Sequence, residues 1–147
     1  MPKETHFNVI YTFTESQIVE LHQLYKNEWW TKDRTLEETR ACLSGSQVCI
    51  GLTNNKDKLI GFVRVITDFV FKALIFDLII DEKHRGEKLG KKLISLLKNH
   101  KSLSSVSHFE LYCLAELEDF YKQLGFSDDI NGIHLLRHTN HRSTGFK

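Results

Sequence analysis

Residues 73–97 read ALIFDLIIDEKHRGEKLGKKLISLL, and this stretch decides the fold. Residues 74–80 are almost entirely apolar, as in a strand that is buried on both faces. A charged turn follows, and from Leu89 onward leucines recur at the spacing of an amphipathic helix. A buried strand followed by such a helix predicts that a parallel strand comes next, joined through a right-handed crossover.

The turn between this strand and this helix has a composition suited to phosphate binding. Residues 85–90 read RGEKLG, and Lys91 and Lys92 follow. The first N–H groups of a helix have no partner inside it and lie at the positive end of its dipole, so phosphate binds there. Neither GxxxxGK[ST] nor GxGxxG occurs in the sequence, so the motif alone also fits an ordinary turn with solvated lysines.

The remaining elements follow from apolar spacing and from turn residues. Thr14 and Thr35 are typical N-cap residues and predict two helices, the second of which stops near Gly45. A third helix is predicted over residues 89–100, and a fourth over residues 117–124, which ends at Gly125. Further strands, besides residues 74–80, are predicted at 6–13, 47–52, 59–67 and 106–113, with a final strand or hairpin over 126–136.

The bulk composition is that of an ordinary globular protein. The net charge of +1, with 27% charged and 41% hydrophobic residues, argues against a nucleic-acid partner. The three cysteines match no metal or CxxC spacing, and the apolar runs are short, so we expect a cytoplasmic protein away from membranes. We expect one domain over 1–147 with a flexible tail at 138–147 and no metal site, despite the loose spacing of His134, His138 and His141.

Two motifs together resemble those of the GNAT superfamily of acetyl-CoA-dependent N-acetyltransferases. RGEKLG is similar to the family's [QR]-x-x-G-x-[GA], whose backbone N–H groups hold the pyrophosphate of coenzyme A, and FYKQLGF at 120–126 looks like its FYxxLGF. Arg85 and Gly90 match the first motif, but Lys88 replaces its inner glycine. A left-handed backbone would strain a lysine there, whereas a helical one would not. We expect Lys88 to be helical, because the helix begins near it.

The resemblance implies a fold and an activity. The fold class is α/β with an α+β mixed sheet, mostly antiparallel in its N-terminal part, with a parallel β-α-β centre and helices on both faces. The activity is transfer of an acetyl group from acetyl-CoA, without a metal, to a primary amine of a small molecule or peptide by direct attack. The alternative, which Lys88 favours, is a non-catalytic acyl-CoA-binding or partner-binding module. The sequence leaves monomer and homodimer open.

The resemblance also assigns cofactor-binding residues. A strand that splays from its neighbour would offer backbone N–H groups to the thioester oxygen. Tyr121 would lie near the thioester sulfur and donate a proton to the leaving thiolate, although an amphipathic core residue is the alternative. The expected acetyl-CoA site is Leu78, Ile79, Ile80, Arg85, Gly86, Glu87, Lys88, Leu89, Gly90, Lys91 and Tyr121.

Two carboxylates are candidate bases for deprotonating the amine. Similar acetyltransferases of peptide N-termini carry a glutamate at the position of Glu110, which is otherwise a rim charge paired with a lysine. Asp77 interrupts the apolar strand, and a buried carboxylate there is either functional or paired, with Arg64 as the expected partner. His108 shares a strand face with Glu110 and is a relay or a structural residue.

The resemblance also implies that the acceptor site lies near the end of the first helix and the loop after it. Trp29 and Trp30 would form a wall of the cleft, with core packing as the alternative, and Arg34 would border it. Asp68, just after the strand at 59–67, is placed to attract an ammonium group.

Overall fold

A computed structural model of the chain describes residues 6–140. They divide into two compact units, one that ends at Cys113 and one that starts at Leu114. His141 and most of the predicted tail lie outside the described residues. The single domain over 1–147 stays a prediction.

The first unit contains a five-stranded mixed sheet with its strands in chain order. Its strands are β1 (Asn8–Ile10), β2 (Val48–Thr53), β3 (Leu59–Thr67), β4 (Lys72–Ile80) and β5 (His108–Leu111). Neighbours from β1 to β4 are antiparallel, whereas β4 and β5 are parallel. The predicted mixed sheet is therefore confirmed, with β1 and β5 shorter than expected.

Capping residues set the starts of the first two helices. Residues 6–140 contain four α-helices: α1 (Glu15–Lys26), α2 (Leu36–Ser44), α3 (Leu89–Lys98) and, in the second unit, α4 (Glu118–Gln123). The hydroxyl of Thr14 accepts from the N–H of Gln17 at 3.2 Å, and the Gln17 side chain accepts from the N–H of Thr14. Thr35 and Glu38 form the same reciprocal capping box before α2. Both predicted caps are confirmed.

Helices cover both faces of the sheet. Phe62 of β3 is fully buried in a core cluster with Leu21 and Tyr25 of α1. A Cβ atom at its neighbour Gly61, which points to the opposite face, would lie 3.4 Å from the side chain of Leu93 in α3. The sheet therefore packs α1 on one side and α3 on the other, as expected.

The predicted final strand or hairpin over residues 126–136 is wrong. Within the described part of the chain, this segment contains bends, turns and irregular backbone. Asn131 and Gly132 have φ values of 60° and 75°, and a left-handed pair interrupts an extended strand. The apolar Ile133 and Leu135, which suggested a strand, are exposed.

Candidate active site

The turn after β4 leads into α3 through two left-handed residues. A short 3-10 turn, Glu82–His84, follows the strand, and Gly86 has φ of 84°. Lys88 is the N-cap of α3 and has φ of 62°, so the predicted helical conformation of Lys88 is wrong. The helix begins one residue later, at Leu89, and its N-cap turns the chain into the helix. A lysine in this conformation costs about 1–2 kcal/mol, which explains why a related sequence would use glycine.

The start of α3 offers the groups that phosphate needs. The side chain of Lys88 does not cap the helix, so it leaves the first-turn N–H groups without that partner. Leu89 is buried and anchors the helix against the sheet, while Lys88, Lys91 and Lys92 are exposed beside it. This end of α3 is therefore a cationic, donor-rich surface.

Two acidic residues contact the same turn. His84 lies 3.0 Å from Glu87 through its Nδ1 atom, and the Arg85 guanidinium forms an ion pair with Glu28. Arg85 Nε also donates to the carbonyl oxygen of Ile80 at 3.4 Å. Sequence reasoning missed Glu28, because no motif links a residue at the end of α1 to a turn so far along the chain.

Strand β4 bulges at Asp77 and extends past its pairing with β5. Asp77 has φ of 58°, and the register with β3 shifts there. The described register with β5 ends where Ile75 faces Leu111, whereas β4 continues to Ile80. Phe76, Ile79 and Ile80 thus pair with β3, while the β5 side of residues 76–80 extends beyond the parallel ladder.

Asp77 is held by three buried or half-buried side chains. Its carboxylate accepts from Arg34 Nη1 and from Arg64 Nε, each at 2.6 Å, and from the Tyr25 hydroxyl at 2.9 Å. The Arg34 guanidinium also stacks on the Tyr25 ring, 4.6 Å from its centroid. The expected pairing with Arg64 is present, and the cluster ties α1, the loop before α2, β3 and β4 together.

The electrostatics of this cluster disfavour proton uptake by Asp77. Burial by itself raises the pKa of Asp77, but the hydrogen bonds and charges of Arg34 and Arg64 outweigh it and hold the pKa below its usual value. Burial and the nearby carboxylate raise the pKa of Tyr25, which stays protonated. A carboxylate so stabilised as an anion is a weak base.

The second candidate base lies on β5. Glu110 accepts from Lys72 Nζ at 2.8 Å, and the Lys72 and Glu110 side chains are 46% and 37% exposed. Lys72 pairs in register with His108, which is also exposed. The geometry matches the expected rim charge paired with a lysine, and it keeps Glu110 accessible to solvent.

The candidate acceptor residues are dispersed. Trp29 and Trp30 are 69% and 42% exposed, so the alternative that they pack in the core is wrong. Their exposed rings could form one wall of a binding cleft. Arg34 is engaged with Asp77. Asp68 accepts from the N–H groups of Val70 and Phe71 at 2.9 and 2.8 Å, and these backbone hydrogen bonds lower the pKa of Asp68. Asp68 therefore shapes the β3–β4 turn.

In the second unit, Tyr121 is part of an aromatic group. Its ring centroid lies 4.9 Å from that of Phe120 and 5.9 Å from that of Phe126, in edge-to-face arrangements. Gly125 follows the end of α4 with φ of 96°, as a residue at this C′ position requires. The FYKQLGF motif thus folds as one local cluster, in which Tyr121 is half-buried.

Among residues 6–140, no group of three His, Cys, Asp or Glu side chains is placed to hold a metal ion. No helix in that range is long and apolar enough to cross a bilayer.

Comparisons with known proteins agree on one family. A family model described as an acetyltransferase (GNAT) domain matches residues 44–128. "Uncharacterized N-acetyltransferase ycf52" of Pyropia yezoensis is 34% identical over 86% of this chain and 75% of its own length. "GCN5-related N-acetyltransferase 2, chloroplastic" of Arabidopsis thaliana is 34% identical over 56% of this chain and 32% of its own length. A crystal structure of a putative GNAT-family acetyltransferase from Xanthomonas campestris superposes with a TM-score of 0.81, at 22% identity, over 94% of this chain and 96% of that one.

Proposed function

The chain belongs to the GNAT family of acetyltransferases, and from that premise we propose that it transfers an acetyl group from acetyl-CoA to a primary amine. The acceptor is a small amine or a peptide, no metal takes part, and the protein acts as a monomer or homodimer without nucleic acid or membrane.

The observation that carries the proposal is the arrangement around the end of β4. The donor set at the start of α3, with Lys88, Lys91 and Lys92, fits the phosphates of coenzyme A. The β5-facing side of residues 76–80 lies past the parallel ladder and fits an extended chain that adds to the strand edge. The phosphate-type turn and the open strand edge both adjoin the end of β4. A long ligand with phosphates at one end requires such an arrangement.

The proposed chemistry assigns a task to each group of the chain. Acetyl-CoA supplies an activated acetyl thioester. Backbone N–H groups of Leu78–Ile80 donate to the oxygen that becomes negative, and Tyr121 gives a proton to the departing thiolate. Glu110, or a water chain beside it, takes the proton of the ammonium group. Asp77 is the weaker candidate base, since its two arginines favour the anion.

We propose the cytoplasm as the compartment, because the composition and the cysteine spacing are those expected of a cytoplasmic protein. The chloroplastic relative favours a plastid as the alternative, which a fluorescent fusion in the source cell would distinguish.

Calorimetry with acetyl-CoA and a thiol-release assay test the proposal. The assay uses peptides with free N-termini, lysine peptides, small amines and aminoglycosides, with the protein's own thiols subtracted as background. We expect binding and turnover with at least one class of amine. Binding without turnover would favour the non-catalytic acyl-CoA-binding or partner-binding module, and absence of both would contradict the family activity in this chain.

A tyrosine substitution tests the proton donor. Tyr121→Phe should lower kcat by at most about 10²- to 10⁴-fold, as for loss of a general acid, with acetyl-CoA affinity nearly unchanged. The matched control is Tyr11→Phe, at an exposed tyrosine whose ring contacts His100. Unchanged turnover of Tyr121→Phe at every pH would remove Tyr121 from the mechanism.

A further inference from the structure

The ion pair between Arg85 and Glu28 connects the phosphate-type turn to the end of α1. Glu28 follows Asn27, the C-cap of α1, and its side chain is 18% exposed, whereas that of Arg85 is 53% exposed. The backbone of Glu28 is fixed, because its N–H donates to the carbonyl of Tyr25 and its carbonyl accepts from the N–H of Thr31. Arg85 is therefore the more exposed partner, and the side chain of Glu28 is the one that the fold encloses.

A phosphate group bound at this turn would compete with Glu28 for the Arg85 guanidinium. A guanidinium binds carboxylate and phosphate through the same planar pair of N–H donors. Arg85 lies in the turn that leads to Lys88, where the proposed acetyl-CoA site places its phosphates. Phosphate in that site would draw Arg85 away from Glu28 and would leave the half-buried carboxylate without this ion pair.

We propose that Glu28 and Arg85 couple the two substrate sites of the enzyme. Arg85 leaves Glu28 when acetyl-CoA binds, and the released Glu28 carboxylate then binds the ammonium group of a cationic acceptor, such as a lysine side chain. Trp29 and Trp30 come next in the chain and expose aromatic rings, which also attract a cation. The inference rests on the proposed function and adds a substrate class to it.

Coenzyme A affinity tests the competition without any acceptor. Glu28→Gln removes the competing charge and should tighten coenzyme A binding by about two- to five-fold, the range expected for a partly exposed ion pair. Arg85→Gln should weaken binding, and adding Glu28→Gln to it should change nothing further. Glu15→Gln, which removes a surface partner of Arg40 elsewhere on α1, should leave the affinity unchanged.

The acceptor half is tested with a simple cation. The probe is Nα-acetyl-lysine N-methylamide, whose only charge is the side-chain ammonium, titrated by NMR with and without coenzyme A. The strength of the Arg85–Glu28 ion pair limits the coupling to about two- to five-fold. Because coupling is reciprocal, coenzyme A should tighten binding of the probe by that same factor, about two- to five-fold. In the Glu28→Gln variant, coenzyme A should no longer tighten binding of the probe.

The outcomes separate this inference from the proposed function. If wild-type protein binds no coenzyme A, the proposed function fails. If it binds coenzyme A but Glu28→Gln leaves the affinity unchanged, or tightens it equally in the Arg85→Gln background, the competition is refuted. If the probe does not bind, or if Glu28→Gln responds to coenzyme A as wild type does, the assignment of a cationic acceptor to Glu28 is refuted.

Discussion

Replacement of Asp77 by asparagine should destabilise the protein severely. Asparagine keeps the size of the side chain and is among the residues that best tolerate a left-handed backbone, so the φ of 58° does not confound the result. The substitution removes the charge that Arg34 and Arg64 share. Both guanidinium groups then remain in place, with side-chain exposures of 30% and 11%, and no carboxylate between them.

The size of the effect follows from this burial. Removal of one partner from a buried ion pair costs about 3–5 kcal/mol, because the remaining charge is left without compensation. The partial exposure of Arg34 lets water screen its charge, so we expect a value near the lower end, about 3 kcal/mol. A loss of that size would lower Tm by about 10 °C in a domain of this length. Arg34→Gln added to Asp77→Asn should restore part of the loss, since it removes one uncompensated charge.

Urea unfolding as a function of pH provides the measurement. The pKa of Asp77 is lower in the folded protein than in the unfolded chain, so its contribution is complete above the unfolded value, about 3.9. The contribution disappears as the pH falls through the folded pKa. The stability difference between wild type and Asp77→Asn should therefore be constant from neutral pH down to about 4 and shrink at lower pH.

An exposed ion pair serves as the control for this experiment. Glu15→Gln removes the partner of Arg40, and both of these side chains are largely exposed. It should cost less than about 1 kcal/mol. If Asp77→Asn cost no more than this control at neutral pH, the argument that the buried cluster stabilises the β4 bulge would be refuted.

Two further predictions concern the N-cap of α3 and one thiol. Lys88→Gly relieves a strain of about 1–2 kcal/mol but adds entropy to the unfolded chain, so it should raise the free energy of unfolding by about 0.5–1 kcal/mol. Lys91→Gly, in the first turn of α3, should lower the free energy of unfolding by about 1 kcal/mol. Equal effects of the two substitutions in urea unfolding would contradict the strain at Lys88. Burial raises the pKa of Cys49 to about 11, so its alkylation by iodoacetamide, followed by mass spectrometry, should accelerate about tenfold per pH unit from 7 to 9. A plateau of the alkylation rate near pH 8.5 would contradict the raised pKa of Cys49.

The sequence predicted most of the fold because local signals agreed with one another. Thr14 and Thr35 each precede an apolar-periodic segment, and both act as caps in the structure. Residues 59–67 were predicted as a strand and form β3 with the same bounds. The prediction for residues 126–136 failed because apolar residues near a turn do not suffice for a strand, which also requires a partner and backbone angles that Asn131 and Gly132 do not supply.

The candidate site was harder to predict, since its contacts join distant parts of the chain. The pairing of Asp77 with Arg64 was expected because the two residues lie on adjacent strands of a predicted sheet. The contacts with Tyr25 and Arg34 depend on how α1 and the loop after it pack on that sheet, which no local pattern encodes. The same holds for the contact between Glu28 and Arg85.

The two interpretations of Asp77, a base and a structural anion, differ in the number of cations around the carboxylate. Burial alone is compatible with either one, since desolvation raises the pKa of a carboxyl and improves it as a base. Two arginines at 2.6 Å reverse that effect, and the Tyr25 hydroxyl occupies a further acceptor site. Asp77 also bears the left-handed conformation at which β4 changes register, just before Leu78–Ile80. The cluster therefore favours a structural role for Asp77 at the bulge that precedes Leu78–Ile80, and in the proposed mechanism proton removal is assigned to the more exposed Glu110 or to water.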